Sequence, residues 1–239
     1  MKPVIVAVMV GLCLLACQSV SSAAEAFVET NGRVMVEIES APASEGWTPQ
    51  TDLKGFTGQC YYTWTGPDMP KQPGTGVLRY VVQIVQGGTY TLTIRNRHDL
   101  PDHTKQNDCY TRMDGGPWLK TFSSKEGLWT WHSRHHWTET IKGRCLYVLT
   151  PGVHVLEISG RSAGLSIDRL SLSHSQAGKW DELAPPSPTV TVSDAQIAQA
   201  TTRPVVMPAS QPSSQPATAP ASGPASKPAS GPESQPAGR

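Results

Sequence analysis

The chain alternates apolar and polar residues with the period of a β-strand over most of residues 27–175. Residues 77–86 show this most clearly, because every second side chain is Leu, Tyr, Val or Ile. A Gly87-Gly88 pair follows, which is typical of a hairpin turn, and residues 89–95 return with the same alternation. Since neighbouring side chains of a strand point to opposite faces, these segments predict strands with one buried face.

Similar short segments recur along this region and are separated by turn residues at intervals of roughly ten positions. The predicted strands are residues 27–29, 33–39, 59–64, 77–86, 89–95, 109–113, 118–122, 137–141, 144–149, 152–159 and 165–172. Residues 41–58, 66–76, 96–108 and 123–136 are predicted to be irregular or loops. No convincing amphipathic helix accompanies them, so the pattern predicts an all-β sandwich or barrel.

One charged residue interrupts the apolar pattern of the last predicted strand. Asp168 shares its parity with Leu170 and Leu172, so the alternation predicts that its carboxylate points toward an apolar face. A buried carboxylate must be paired, hydrogen-bonded or bound to a metal. The turn before this strand carries Arg161 and Ser162 at its tip.

Both ends of the chain differ in composition from the middle. Residues 1–26 read as an export signal, in which Leu14-Leu15-Ala16-Cys17 is similar to a bacterial lipobox and small residues at 22–26 suit an ordinary signal peptidase. The chain is therefore expected to be exported, either lipid-anchored at Cys17 or free in the periplasm or outside the cell. Residues 176–239 are rich in Pro, Ala and Ser and are predicted to be disordered, which leaves residues 27–175 as the folded domain.

The net charge bears on nucleic-acid binding, and the cysteine count bears on disulfides. The formal net charge of +1 provides no electrostatic basis for binding nucleic acid. Outside the signal, three cysteines remain, Cys60, Cys109 and Cys145, which allows one disulfide and one leftover thiol, the latter interpreted as a buried free cysteine.

Five short motifs occur in a recognisable order. They are VEIE at 36–39, GFTG at 55–58, GGTYTL at 87–92, PGVHVL at 151–156 and IDRL at 167–170. Together they resemble the family 6 and family 35 carbohydrate-binding modules. The resemblance implies a jelly-roll β-sandwich of the galactose-binding-like type and a carbohydrate ligand.

The same resemblance implies a structural calcium near one edge of the sandwich. Carried over by residue, its ligands would be Glu37, Glu39 and Asp168, with backbone carbonyls of residues 54–58 completing the shell. Calcium binds six to eight oxygens of this kind. In the alternative interpretation, Glu37 and Glu39 face solvent and Asp168 pairs with Arg33 or Arg169.

A sugar site needs a flat aromatic surface and a few planar polar groups. Residues that offer these in loops are Trp64, Arg97, His98, Asp99, Trp129, Trp131, Arg161 and Ser162. Alternatively, the tryptophans cap the core and the arginines pair with nearby aspartates such as Asp99 or Asp102. The histidines of the two polar loops are interpreted as surface residues rather than as transition-metal ligands.

The sequence therefore predicts a monomeric, non-catalytic domain that binds a polysaccharide or glycan. A glycan-active enzyme that uses the loop of residues 97–108 is one alternative, although neighbouring Glu37 and Glu39 do not face each other across a cleft as glycoside hydrolysis requires. A protein-binding envelope or adhesion domain with the tail as a spacer is the other.

Overall fold

The computed structural model describes residues 23–102, 105–136 and 142–206. A 3-10 turn covers Ile38–Ser40, and the helix α1 covers Asp194–Thr201. Within the described ranges, no helix is long and apolar enough to cross a membrane. The strands are β1 Ala23–Val28, β2 Arg33–Glu37, β3 Trp47–Gln50, β4 Tyr61–Trp64, β5 Leu78–Ile84, β6 Gly88–Arg97, β7 Asp108–Met113, β8 Leu119–Phe122, β9 Arg134–His136, β10 Lys142–Gly143, β11 Cys145–Leu149, β12 Gly152–Ser159, β13 Ser166–His174 and β14 Thr189–Ser193.

These strands form two sheets that enclose one apolar core. The larger sheet has the order β10-β9-β8-β7-β12-β5-β1-β14, and the smaller has the order β11-β6-β13-β4-β3, with β2 also paired to β13. Alternate residues of β5 and β6, such as Leu78, Ile84 and Leu92, point into the core as the pattern predicted. Successive strands from β4 to β7 and from β11 to β13 alternate between the sheets, as in a jelly roll. The predicted all-β jelly-roll sandwich is confirmed.

Two strands lie where the pattern predicted loops. β3 lies within residues 41–58 and pairs with β4, and β9 lies within residues 123–136 and pairs with β8. β3 contains Pro49 and buries only Trp47 fully, so it offers no alternation to detect. Residues 137–141, predicted as a strand, lie outside the described residues.

The fold also includes residues 176–206, here called the C-terminal strap. β14 of the strap pairs antiparallel with β1 at the edge of the larger sheet. Val192 of β14 and Ala200 of α1 are buried against Val153 and Val155, on the face of the larger sheet that points away from the main core. The strap therefore completes the sandwich, and its predicted disorder is wrong for these residues.

The boundaries of the domain move accordingly. β1 begins at Ala23, inside the segment predicted to be a signal and tether. The described fold includes β1 from Ala23 and the strap to residue 206, both beyond the predicted limits of 27 and 175. Cys17 and the tail from residue 207 lie outside the described residues.

One buried arginine fixes the strap to the sandwich. Arg169 of β13 is 1% exposed and donates to the carbonyl oxygens of Glu182 at 3.1 Å and Ala184 at 2.7 Å. Its Nε lies 3.0 Å from Oε1 of Glu37 at the end of β2. Arg169 thus connects the strap to one of the predicted calcium ligands.

The three cysteines of the folded part are free thiols in the structure. Cys109 and Cys145 are buried in the core, and burial raises the pKa of both thiols. They pack as small apolar residues, and none of the three cysteines forms the disulfide that the sequence allowed.

Candidate functional site

An open pocket of about 430 Å³ lies where three loops meet. The first loop follows β4, the second follows β6 and the third joins β12 to β13. Its lining residues are Asp68, Pro70, Leu100, Lys105, Gln106, Arg161, Ser162 and Ala163. Of the predicted ligand-binding residues, the structure places Arg161 and Ser162 in this pocket.

A buried carboxylate holds these two residues from below. Asp108, the first residue of β7, has no exposed surface and accepts hydrogen bonds from Nη1 of Arg161 and Oγ of Ser162. Its Oδ2 lies 2.9 Å from Nζ of Lys120. Burial alone would lower the pKa of Arg161, but the adjacent Asp108 charge outweighs this effect and raises it. Arg161 therefore stays charged at the floor of the pocket.

The sequence pattern missed this role of Asp108. The residue was interpreted as the end of the polar loop 96–108, whereas it begins a strand. The sequence does show that Asp108 directly precedes the predicted strand 109–113. This position indicates that Asp108 lies where the polar loop meets the sandwich.

Hydrogen bonds join the walls of the pocket to one another. The amide of Ala163 donates to Oδ1 of Asp68 at 2.9 Å, and the amide of Met69 donates to the carbonyl of Arg161 at 2.7 Å. Gly164 has a φ of +92°, and a Cβ at this position would lie 2.4 Å from Nε2 of Gln106. The positive φ favours glycine at this position, whereas the flexible Gln106 side chain could move away from a Cβ.

Trp64 was predicted to bind the ligand, but its side chain lies inside the fold and does not line the pocket. Its side chain is buried at 1% exposure, and its Nε1 donates to the carbonyl of Pro67 at 2.9 Å. The indole packs edge to face on Trp47 at 5.4 Å between ring centroids. Four glycines lie so close to the ring that a Cβ on any of them would clash with it: Gly46, Gly66, Gly76 and Gly160.

The adjacent candidates Arg97, His98 and Asp99 do not line the pocket. Nε of Arg97 and Oδ1 of Asp99 form a partly exposed ion pair at 2.8 Å, which matches the structural alternative considered for Arg97. His98 points inward, is 1% exposed, and has no hydrogen-bond partner for either ring nitrogen among the described residues. Burial lowers its pKa, so the ring is neutral near pH 7.

Trp129 and Trp131 contact different parts of the molecule and do not form one flat surface. Trp129 donates from Nε1 to the carbonyl of Lys54 at 3.1 Å and packs edge to face on Tyr61. Trp131 packs edge to face on Trp180 of the C-terminal strap, with ring centroids 5.0 Å apart. Both rings are partly buried, so each joins a loop to the sandwich.

Among the described histidines of the two polar loops, His98 and His135 are buried, so their predicted surface position is wrong. Among the described residues, no group of three or more His, Cys, Asp or Glu side chains is arranged to hold one. His135 of β9 is fully buried, and its Nε2 lies 3.1 Å from Oγ1 of Thr111. Burial lowers the pKa of His135 to about 3. His103 lies outside the described residues.

The depressed pKa of His135 predicts a specific acid sensitivity. The unfolded chain takes up this proton near pH 6.5, so the stabilisation is complete above that pH and is lost as the pH falls toward 3. The unfolding free energy of the wild type, measured by urea titration, should fall between pH 7 and pH 5. His135→Gln is expected to make this fall smaller by about 2 kcal/mol. An unaltered pH dependence in His135→Gln would contradict the prediction.

A β-bulge decides where Asp168 points. β13 pairs Ile167 with Asn96 and Arg169 with Arg95, so Asp168 is the extra residue between two paired positions. Ile167 and Leu170, three positions apart, both reach the core as a result. The carboxylate of Asp168 therefore meets the loop of residues 54–58 and Arg95, and does not face the core as its parity predicted.

The three predicted calcium ligands all contact the same short segment. Thr57 donates from its amide to Oδ1 of Asp168 at 2.9 Å and from Oγ1 to Oε2 of Glu37 at 2.8 Å. The amide of Gln59 donates to Oε1 of Glu39 at 2.6 Å. Burial raises the pKa of both Glu37 and Asp168, although hydrogen bonds from Thr57 oppose the shift. The sequence thus correctly grouped these three carboxylates.

Their partners, however, do not suit calcium. Asp168 is paired with Arg95, and Glu37 with Arg169, so two of the three carboxylates already have a cation. Of their six oxygens, one buried atom, Oε2 of Glu39, has no donor among the described residues. A calcium ion needs six to eight oxygens, so the side chains as arranged do not fit it. The alternative interpretation paired Asp168 with Arg33 or Arg169. In the structure its partner is Arg95.

Comparison with known proteins gives structural matches alone. No protein-family model and no curated protein matches the chain. The family 35 carbohydrate-binding module from Clostridium thermocellum matches at 18% identity and a TM-score of 0.41, over 60% of this chain and 98% of the module. The Cellvibrio mixtus lichenase 5A module, solved with cellotriose, matches at 15% identity and a TM-score of 0.39, over 59% of this chain and 97% of the module.

A larger enzyme also matches in part. The chain is 19% identical, at a TM-score of 0.45, to the GH26-CBM35 β-(1,4)-mannanase of Podospora anserina, over 65% of this chain. The match spans 30% of the mannanase. Modules of the two families that the five sequence motifs resemble are thus among the solved structures similar to this chain.

Proposed function

We propose that this protein is a non-catalytic carbohydrate-binding domain and that a sugar residue occupies the pocket above Asp108. The pocket itself carries the proposal, because its volume of about 430 Å³ lies in the range of small-ligand sites. It also combines planar polar groups with apolar surface, as a sugar with hydroxyls and a C–H face requires.

Each wall contributes a different kind of contact. Arg161 supplies guanidinium donors, Gln106 an amide and Asp68 a carboxylate oxygen, all of which suit sugar hydroxyls. Leu100 is 40% exposed and, with Pro70, offers apolar surface. A guanidinium also pairs with the carboxylate of an acidic sugar, so acidic as well as neutral glycans belong in the test.

The arrangement of acids in the pocket favours binding over hydrolysis. Glycoside hydrolysis uses two carboxylates on opposite sides of the scissile bond. Among the described residues that line the pocket, Asp68 alone is acidic, and its Oδ1 accepts the amide of Ala163. Asp108 lies below and is held by Arg161, Ser162 and Lys120.

The proposal includes a location for the protein. The export signal predicted from the sequence would end before β1 begins at Ala23, so the domain would act in the cell envelope or outside the cell, with a lipid at Cys17 as a membrane attachment. The partner would then be a polysaccharide or glycan, bound by a monomeric protein.

Two exposed pocket residues test this function with matched controls. Glycan-array screening of the wild type, followed by calorimetry on the best ligand, is expected to show binding that Leu100→Ala and Lys105→Ala each weaken at least about tenfold in Kd. Leu128→Ala and Lys125→Ala make the same changes in the loop of residues 123–136 and should leave Kd unchanged. Both residues are exposed there.

The controls also identify the competing outcomes. Weaker binding in Leu128→Ala, with Leu100→Ala unaffected, would place the sugar on the second loop. Absence of binding to any neutral or acidic glycan would overturn the proposal. Turnover of a bound glycan would show that the protein is an enzyme.

A further inference from the structure

We propose that Arg95 replaces calcium in this protein. Its guanidinium fastens the loop of residues 54–58 to the bulge of β13, so the fold needs no metal at this edge of the sandwich. The side chain is 12% exposed, and that of Asp168 is completely buried. This inference is independent of the proposed sugar pocket, which other residues line.

The first step is the bridge that Arg95 makes. One nitrogen, Nη1, donates to the carbonyl of Gly55 at 2.9 Å and also pairs with Oδ2 of Asp168. These are the two kinds of oxygen, carbonyl and carboxylate, that a calcium ion would join. A guanidinium carries its charge at every pH at which the protein folds, so the bridge needs no bound ion.

The second step is the orientation of the loop. Thr57 turns its N–H toward Asp168 and its hydroxyl toward Glu37, while Gln59 turns its N–H toward Glu39. A cation is bound by oxygen lone pairs, and each of these donors already occupies a lone pair on one of the three carboxylates. The loop therefore presents hydrogen-bond donors where a calcium site presents acceptors.

The third step is the use of the remaining loop carbonyls. The carbonyl of Lys54 accepts the indole N–H of Trp129, next to the Gly55 carbonyl that accepts from Arg95. The guanidinium carbon of Arg95 lies 5.6 Å from the centre of the Trp129 ring. Arg95 and Trp129 thus form one unit that attaches two loops to the smaller sheet.

Thermal unfolding with and without calcium tests the inference directly. The unfolding temperature of the wild type in millimolar calcium chloride is expected to lie within about 1 °C of its value in excess EGTA. Calorimetric titration of calcium chloride into the wild type should show no binding heat. A rise of several degrees with calcium, lost in Glu37→Gln, would overturn the proposal.

Two variants test the pairing of Arg95 with Asp168. Arg95→Met keeps the apolar stem but leaves a buried carboxylate unpaired, so it should lower the unfolding temperature by about 10 °C. Adding Asp168→Asn removes that charge and is expected to recover part of the loss. Were Asp168 a calcium ligand, the second change would lower stability further, and that result would contradict the inference.

A matched variant separates this pairing from a general effect of charge. Arg97→Met makes the same replacement two residues along β6, in the exposed pair with Asp99. It should shift the unfolding temperature by less than about 2 °C. An equal shift in Arg95→Met and Arg97→Met would overturn the special role of Arg95. If Arg95→Met fails to fold, the calcium titration of the wild type still decides.

Discussion

Ending the chain at residue 175 is expected to destroy the cooperative fold that a chain of residues 23–206 maintains. The shorter chain loses β14 and α1, and with them the cover over Val153 and Val155. It also leaves buried Arg169 without the two strap carbonyls that accept its hydrogen bonds. Together these losses amount to at least about 5 kcal/mol, which is comparable with the whole stability of a domain.

Circular dichroism and urea unfolding of three chains measure this effect. The chain of residues 23–206 should unfold in one transition, and the chain of residues 23–239 should do so at the same urea concentration. The chain of residues 23–175 should show no such transition. If it unfolds at the same urea concentration as the longer chains, the strap is an addition to the fold and not a part of it.

Replacing Trp64 with Ala is expected to cost about 3–5 kcal/mol of unfolding free energy. The indole fills the space that four closely packed glycines leave open, so its removal leaves a cavity against their backbones. The hydrogen bond from its Nε1 to Pro67 is lost as well. The expected result is therefore a large loss of stability, with glycan binding retained in the fraction that remains folded.

Urea titration together with glycan calorimetry distinguishes this outcome from a role in binding. Trp180→Ala is the control, because Trp180 is 36% exposed and packs only at the surface on Trp131 and Arg33. It should cost less than about 1.5 kcal/mol. A Trp64→Ala variant with normal stability and weakened glycan binding would show that the indole contacts the ligand after all.

Arg95 and Arg161 each form an ion pair with a buried carboxylate, and the two pairs have different surroundings. In each case a carboxylate without exposed surface, Asp168 or Asp108, holds a guanidinium that also contacts a loop. At Asp108 the guanidinium faces a pocket, whereas at Asp168 it is directed to a backbone carbonyl. The first arrangement suits ligand binding, and the second suits attachment of a loop.

Alternation alone was sufficient to identify an all-β sandwich or barrel, and the resemblance of the five motifs narrowed this to a jelly-roll sandwich. The hairpin of β5 and β6 is an example, since a strand exposed on one face must place every second side chain in the core. The grouping of Glu37, Glu39 and Asp168 around residues 54–58 also followed from the sequence, through the motifs that resemble carbohydrate-binding modules. So did the position of Arg161 and Ser162 at the tip of a turn, which here is the edge of a pocket.

Three features were decided by the tertiary structure alone. The alternation along β13 predicted that Asp168 faces the core. Asp168 is instead the extra residue of a bulge, so the residues before it and after it reach the core with opposite parity. Composition predicted a disordered strap. Its few apolar residues are nevertheless enough to order it, because β1 offers a free edge of backbone hydrogen-bonding groups to β14. Trp64 is buried because glycines distant in sequence meet around it. A sequence pattern shows which face of a strand is apolar, whereas partners such as Arg95 are set by which segments meet in space.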